Sequence, residues 1–176
     1  EYGTFLEMVN TTPQVVVAAV EGYAIAGGFG LLCVSDVAIC TEDAGFAMSE
    51  TAIGIVPAQI APFVAARIGV PQTRHLALTA SRFKGPEALR LGIVHHLVED
   101  SPALDAKLEE ILKQIDRCAP LANALTKAVV MKVGSEPLSS VLDFAADKFA
   151  EARRSPEAAE GLRAFAEKRP PRWAVE

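Results

Sequence analysis

Tyr2, Phe5, Leu6 and Val9 recur at spacings of three and four, which places them on one face of a helix over residues 1–10. Thr11-Thr12-Pro13 breaks that helix. The apolar, largely β-branched run at 15–20 predicts a buried strand. It leads into a turn with no bulky side chain at Ala26, Gly27, Gly28 or Gly30, and the apolar pattern resumes as a helix from Gly27 to about Ser35. Residues 36–41 read as a second short strand and 44–48 as a third. From Pro57 the pattern is helical, over 62–68 up to Gly69 and again over 71–80. A helix at 85–91 has Gly92 as its C-cap, and 93–98 returns as a strand.

Strand and helix alternating in this way predict βαβ-type units. After Ser101 the character changes. Leu104, Leu108, Ile111, Leu112 and Ile115 mark an amphipathic helix over 102–118, and further helices follow at 120–133, 138–154 and 156–168, before Pro170-Pro171. The expected organisation is an α/β core over 1–100 and a helical region over 101–176 that packs on something outside itself. No internal repeat or low-complexity linker interrupts it. A chain that opens inside a helix without a capping residue looks like the remainder of something longer.

Composition narrows the function classes. The 176 residues are 51% hydrophobic and 22% charged, which suits a packed core and argues against disorder. Mean hydropathy is positive, so some apolar surface is expected to meet another subunit or a further segment. A net charge of −5 argues against general nucleic-acid binding. No apolar run approaches the roughly 20 residues of a membrane helix, and no basic-then-apolar leader opens the chain. Cys33, Cys40 and Cys118 match no zinc spacing and read as buried, reduced thiols of a cytoplasmic protein. Of His75, His95 and His96, the adjacent pair has no carboxylate at ligand spacing and sits at a strand where alternate side chains point to opposite faces, so no metal is expected, and no Ser-His arrangement is evident.

Two features carry candidate chemistry. A helix beginning at Gly27 and Gly28 points N–H groups outward, which is how an anion or a developing oxyanion is held. The bland alternative is that these glycines let a helix pack tightly on a strand. Glu50 is a lone carboxylate beside Met48, Ala52, Ile53 and Ile55, neighbours that would seclude it from water. Its bland alternative is an exposed capping or ion-paired glutamate. Amide donors together with a secluded carboxylate point to proton chemistry next to a carbonyl.

The chain resembles the crotonase superfamily, the enoyl-CoA hydratases and isomerases, over nearly its whole length. The resemblance rests on 17–24 leading into Gly27-Gly28, on 35–39, on 46–57 and on Arg82-Phe83 through Ala88. Gly92-Ile93-Val94, Ala119-Pro120 with Lys127, and Glu160-Gly161 through Lys168-Arg169 and Trp173 also fit. Many matches in the right order make it specific. It implies a spiral of ββα turns, of which this chain would be the C-terminal part, with C-terminal helices that build a homotrimer or a pair of trimers. The family's N-terminal half, which carries the other oxyanion-hole amide and much of the CoA contact, is expected to be absent.

The resemblance also assigns residues. Gly27 supplies one oxyanion-hole N–H, flanked by Ala26 and Gly28, and Glu50 delivers or removes the α-proton of an acyl-CoA thioester. Pro57 and Gln59 line the acyl pocket, and Lys168 with Arg169 reaches CoA phosphates. No cofactor is implied beyond the coenzyme A of the substrate. Gly30 stands where the second hydratase carboxylate would be, and is expected to leave room for a bulky 3-substituent. With 57–63 and 77–83, it looks most like the isohexenylglutaconyl-CoA and methylglutaconyl-CoA hydratases. Hydration, isomerisation by Glu50 alone and a silent acyl-CoA-binding subunit remain open.

Overall fold

The structure is a computed structural model describing residues 1–174. It divides into two compact units, one of Glu1–Asn10 with Val16–Glu109, the other of Thr11–Val15 with the chain from Glu110 on.

In the first unit, helix α1 (Tyr2–Thr11) is followed by β1 (Val17–Val20), β2 (Tyr23–Ile25) and α2 (Gly27–Cys33). The pattern then repeats as β3 (Val37–Thr41), β4 (Gly45–Ala47), a 3-10 turn at Glu50–Ile53 and α3 (Ala61–Thr79). After β5 (Arg82–Lys84), α4 (Gly85–Arg90) leads to β6 (His96–Val98). Each ββα repeat contributes one strand to each of two small sheets. One sheet is parallel throughout in the order β1-β3-β6, with Ala18 opposite Ala38 and Ile39 opposite His96. The other is ordered β2-β4-β5, with Ile25 opposite Ala47 in the parallel pair and Phe46 opposite Phe83 in the antiparallel one.

Hydrophobic burial holds the unit together. Leu6, Phe29, Ile39, Phe46, Met48, Val64 and Ile93 are fully buried. The Phe83 ring stacks on Phe46 at 5.6 Å and meets Phe29 edge-on at 6.2 Å. From α3, Arg67 donates to the Ile93 carbonyl at 2.9 Å and to the Ser35 carbonyl at 3.0 Å, closing two loops whose acceptors would otherwise lack partners.

Several elements differ from the sequence expectation. The 15–20 strand begins at Val17 and is only partly covered, because β1 lies at a sheet edge and pairs with β3 alone. Tyr23–Ile25 is a strand in its own right. Its Tyr23 ring lies over Gly45, where a Cβ would come within 2.6 Å of the ring, so a larger residue there would have to displace that ring. β5 escaped the pattern because Arg82 and Lys84 flank the one inward side chain, Phe83. The 93–98 strand is shorter, and His95 replaces its first rung. The His95 N–H donates to the Ala38 carbonyl at 2.8 Å, and the Ala38 N–H donates to His95 Nδ1 at 3.0 Å. Gly69, at φ 79°, divides α3 as expected. Cys33 and Cys40 are buried, with burial pushing their thiols up to about 12 and about 11, whereas Cys118 is exposed, contrary to expectation.

Helix α5 (Ser101–Asp116) runs into the second unit, which continues through α6 (Pro120–Val130), α7 (Leu138–Arg153) and α8 (Pro156–Ala166). Here the Ser155 hydroxyl caps α8 by accepting from the Ala158 N–H at 3.1 Å, and the Glu157 carboxylate accepts from the Leu121 N–H at 2.9 Å. The helices leave Leu138, Leu142 and Phe149 of α7 and Phe165 of α8 exposed.

Candidate active site

Two elbows define the site, each at the C-terminal end of a strand in the β2-β4 pair. At the first, β2 turns into α2 through Ala26, which adopts φ 51° and ψ −119°, unusual for a residue with a side chain. The Ala26 N–H donates to the Ala47 carbonyl of β4, and the Ala26 carbonyl accepts from the Gly30 N–H, both at 3.1 Å. A trans peptide directs its N–H opposite to its carbonyl. The Gly27 N–H is therefore aimed outward from the helix start, where no side chain caps it. The next carbonyl, of Gly27, accepts from the Tyr2 hydroxyl at 2.6 Å.

The glycines divide their work. A Cβ on Gly28 would meet nothing within 4 Å, whereas one on Gly27 would come to 3.3 Å from the Tyr2 ring. The side chain in the way at position 27 is thus Tyr2, a residue the sequence placed only on a helix face. The available signal was a phenol at a helix start whose hydroxyl needs a partner.

At the second elbow, β4 continues through Met48 and Ser49 into the 3-10 turn that starts at Glu50 and closes at Gly54, φ 79°. The Thr51 hydroxyl ties this turn to α3 by donating to the Ala77 carbonyl at 2.7 Å. Glu50 is 8% exposed, and its Oε2 is the one buried side-chain polar atom without a hydrogen-bond partner among the described residues. Such an oxygen is costly unless a ligand or water meets it. The apolar neighbours expected to seclude Glu50 do so only in part. Met48 is buried, but Ala52 is exposed, and Ile53, Ile55 and Val56 are 75%, 54% and 76% exposed. The carboxylate is buried by the fold, and its sequence neighbours form an uncovered apolar lip.

Gly30 requires a correction. It does not open space for a substrate branch. Ile60 fills that volume, its Cβ 2.8 Å from where a Gly30 Cβ would stand and its Cγ2 closer still, with Leu6 Cδ1 at 3.2 Å. Pro57 is buried, and its carbonyl accepts from the Ile60 and Ala61 N–H groups at 3.2 and 2.9 Å, which starts α3. Gln59 accepts at Oε1 from the Gly3 N–H at 2.6 Å, so the oxygen proposed to orient water or substrate is bound to backbone.

In the second unit, Lys168 is exposed and holds φ 54°, in the turn that ends α8. Arg169, paired with it as a phosphate ligand in the sequence, is instead held by carboxylates. Its Nη1 donates to Glu160 at 2.7 Å and its Nε to Glu167 at 2.6 Å. These contacts depress the Glu160 carboxyl below its ordinary range and raise the guanidinium.

Residues 2–176 match the family model described as enoyl-CoA hydratase/isomerase. The chain belongs to that family. Its match over residues 2–176 gives no support to the expectation that half of the fold is absent. Among solved structures, AtuE of Pseudomonas aeruginosa is 55% identical with a TM-score of 0.96, over 99% of this chain and 67% of that one. An enoyl-CoA hydratase/isomerase from Marinobacter aquaeolei is 49% identical with a TM-score of 0.95, over 99% of this chain and 66% of that one. The carnitinyl-CoA dehydratase of Salmonella agona is 34% identical over 90% of this chain, which spans 62% of that relative's length. The α/β ββα architecture of this family member is thus shared with longer relatives.

Proposed function

We propose that the chain carries the acid/base half of an acyl-CoA site, with Glu50 exchanging the α-proton of a thioester whose carbonyl oxygen rests on the Gly27 N–H. The observation that supports this most directly is the buried, unpartnered Oε2 of Glu50, one strand away from the Ala26–Gly28 elbow. Amide donors lower the energy of the enolate, and a positioned carboxylate moves the proton. The reaction is reversible hydration of an α,β-unsaturated acyl-CoA, with a 3-branched glutaconyl thioester as substrate. The likeness at 57–63 and 77–83 supports that substrate, while the packing at Gly30 lends it nothing. The likeness of its segment supports Lys168 as a contact for CoA phosphates, and coenzyme A arrives as part of the substrate. The exposed apolar residues of α7 and α8 favour association with further copies of the chain, as a trimer or a pair of trimers.

A second reading, isomerisation of the double bond by Glu50 alone, is favoured by one observation: Ile60 fills the place of a side chain at position 30. Incubation with 3-methylglutaconyl-CoA and with a 3-enoyl-CoA, followed by mass spectrometry, separates the two. Hydration adds the mass of water, whereas isomerisation leaves the mass unchanged and gives the ultraviolet absorbance of a conjugated enoyl thioester, which an unreacted 3-enoyl-CoA lacks. Thioester binding without either product would replace both with a silent acyl-CoA-binding role.

A further inference from the structure

Beyond α8 the chain turns back along the helix it has just left. The Arg169 N–H donates to the Ala164 carbonyl at 3.0 Å and the Lys168 N–H to the Phe165 carbonyl at 3.2 Å, the paired bonds of a Schellman cap. The residue at the reversal is Lys168, at φ 54°. Glycine is usual there, because a side chain strains that conformation. Such strain persists only where the surroundings fix the backbone, and it gathers where a side chain serves a ligand.

The surroundings are built around Glu160, in the second turn of α8, whose side chain is only 11% exposed. Its Oε1 accepts from Arg169 Nη1 at 2.7 Å and from the Arg172 N–H at 3.2 Å, and its Oε2 accepts from Arg169 Nη2 at 3.3 Å. A two-pronged pair of this kind sets an orientation as well as a distance. Farther on, the Trp173 ring lies over Gly161, within 3.1 Å of where a Cβ would stand, and its Nε1 donates to the Arg117 carbonyl at 3.2 Å. Pro170 and Pro171, with φ fixed by their rings, stiffen the segment between. Residues 169–173 are thus clamped to α8, and they hold the turn that precedes them. The clamp also sorts the cations. Arg169 is engaged by Glu160 and Glu167. Lys168 is exposed and makes no hydrogen bond or ion pair among the described residues, so its ammonium is left free at a fixed point of the backbone.

We propose, on the reading of Lys168 as a contact for CoA phosphates, that Glu160 is a positioning residue: its carboxylate, bonded to Arg169 and Arg172, holds the turn from which Lys168 presents its ammonium to a phosphate of the thioester. This extends the site to a carboxylate that itself touches no substrate.

Binding of CoA is measured by isothermal calorimetry for the 176-residue chain, Lys168→Gln, Glu160→Gln and the double variant. The NMR 13Cα and 13Cβ shifts of Lys168 report its φ in the parent and in Glu160→Gln. Lys168→Gln is expected to weaken binding about fivefold, the order of one charge-assisted contact at a surface. Glu160→Gln leaves the segment one charge more positive, so attraction alone would tighten phosphate binding. Positioning predicts the opposite, a loss of about threefold in the parent and no further loss in the Lys168→Gln background. The Lys168 shifts then move towards those of a residue with negative φ. Arg169→Lys, which loosens the same clamp with no change of charge, acts in the same direction and serves alone should Glu160→Gln fail to fold. Tighter or unchanged binding by Glu160→Gln overturns the proposal. So does an equal loss in both backgrounds, which marks Glu160 as structural only. If the parent binds no CoA, or Lys168→Gln binds as the parent does, the phosphate reading fails and the proposal falls with it. The Lys168 shifts still show in that case whether Glu160 holds the turn.

Discussion

Ile60 occupies the space that any side chain at position 30 would need, and Leu6 closes it from the other side. Gly30 is therefore a packing glycine. Gly30→Ala should destabilise the chain by about 1–3 kcal/mol, the range for overfilling a packed interior. Adding Ile60→Ala should recover part of that loss. The coupling is read from a double-mutant cycle of urea unfolding, and a neutral Gly30→Ala would show that Ile60 yields freely.

Glu50→Gln removes the carboxylate and keeps its shape. If Glu50 moves the proton, turnover should fall by about 10²–10⁴, the contribution of a positioned acid/base group, while thioester affinity changes little. Stability should hold or rise, since an unpartnered buried carboxylate oxygen is lost. Steady-state kinetics and isothermal calorimetry check the two halves. Parent-like turnover removes Glu50 from the chemistry.

Lys168 holds a backbone conformation that costs a residue with a side chain about 1 kcal/mol or more. Lys168→Gly should accordingly raise the melting temperature. If the ammonium reaches CoA phosphates, the same variant should bind CoA several-fold more weakly, more so at low than at high salt. A gain in stability with unaltered CoA affinity would leave Lys168 as a helix terminus only.

His95 links stability to pH. Burial first, then the Arg67 cation and His96, push its pKa below the ordinary value of 6.5, and the Ala38 N–H donating to Nδ1 requires that nitrogen unprotonated. The folded state thus binds fewer protons than the unfolded one. The contribution is fully present above about pH 6.5 and is lost as pH falls through the lower folded value. Urea midpoints should drop as pH falls below about 6.5, a window above the one in which Glu160 titrates. His95→Gln, which retains an acceptor, should flatten that drop.

Short-range patterns carried much of the fold. The stop at Gly69 and the cap at Gly92 were legible because each needs a positive φ that glycine supplies cheaply. So was the lone carboxylate at Glu50, placed on its elbow by strand and turn signals nearby. The relations that reached across the chain were not. Gly30 read as empty space because Ile60 is thirty residues away in sequence and nothing local reports it. Gln59 and Arg169 read as ligand contacts because their partners, Gly3 and Glu160, lie on other turns of chain. Ala52, Ile53 and Ile55 read as secluding Glu50 because apolar character suggests burial, whereas the fold leaves them uncovered.

The two elbows end neighbouring parallel strands contributed by successive ββα repeats. Their separation is consequently gauged by the strand repeat of about 4.8 Å rather than by the length of the chain joining them. The connection through α2 and β3 can be lengthened or shortened at its loops without changing the step from amide donor to carboxylate. On the proposed function, amide donor and carboxylate are both indexed to the sheet, and the loops between them are left to vary.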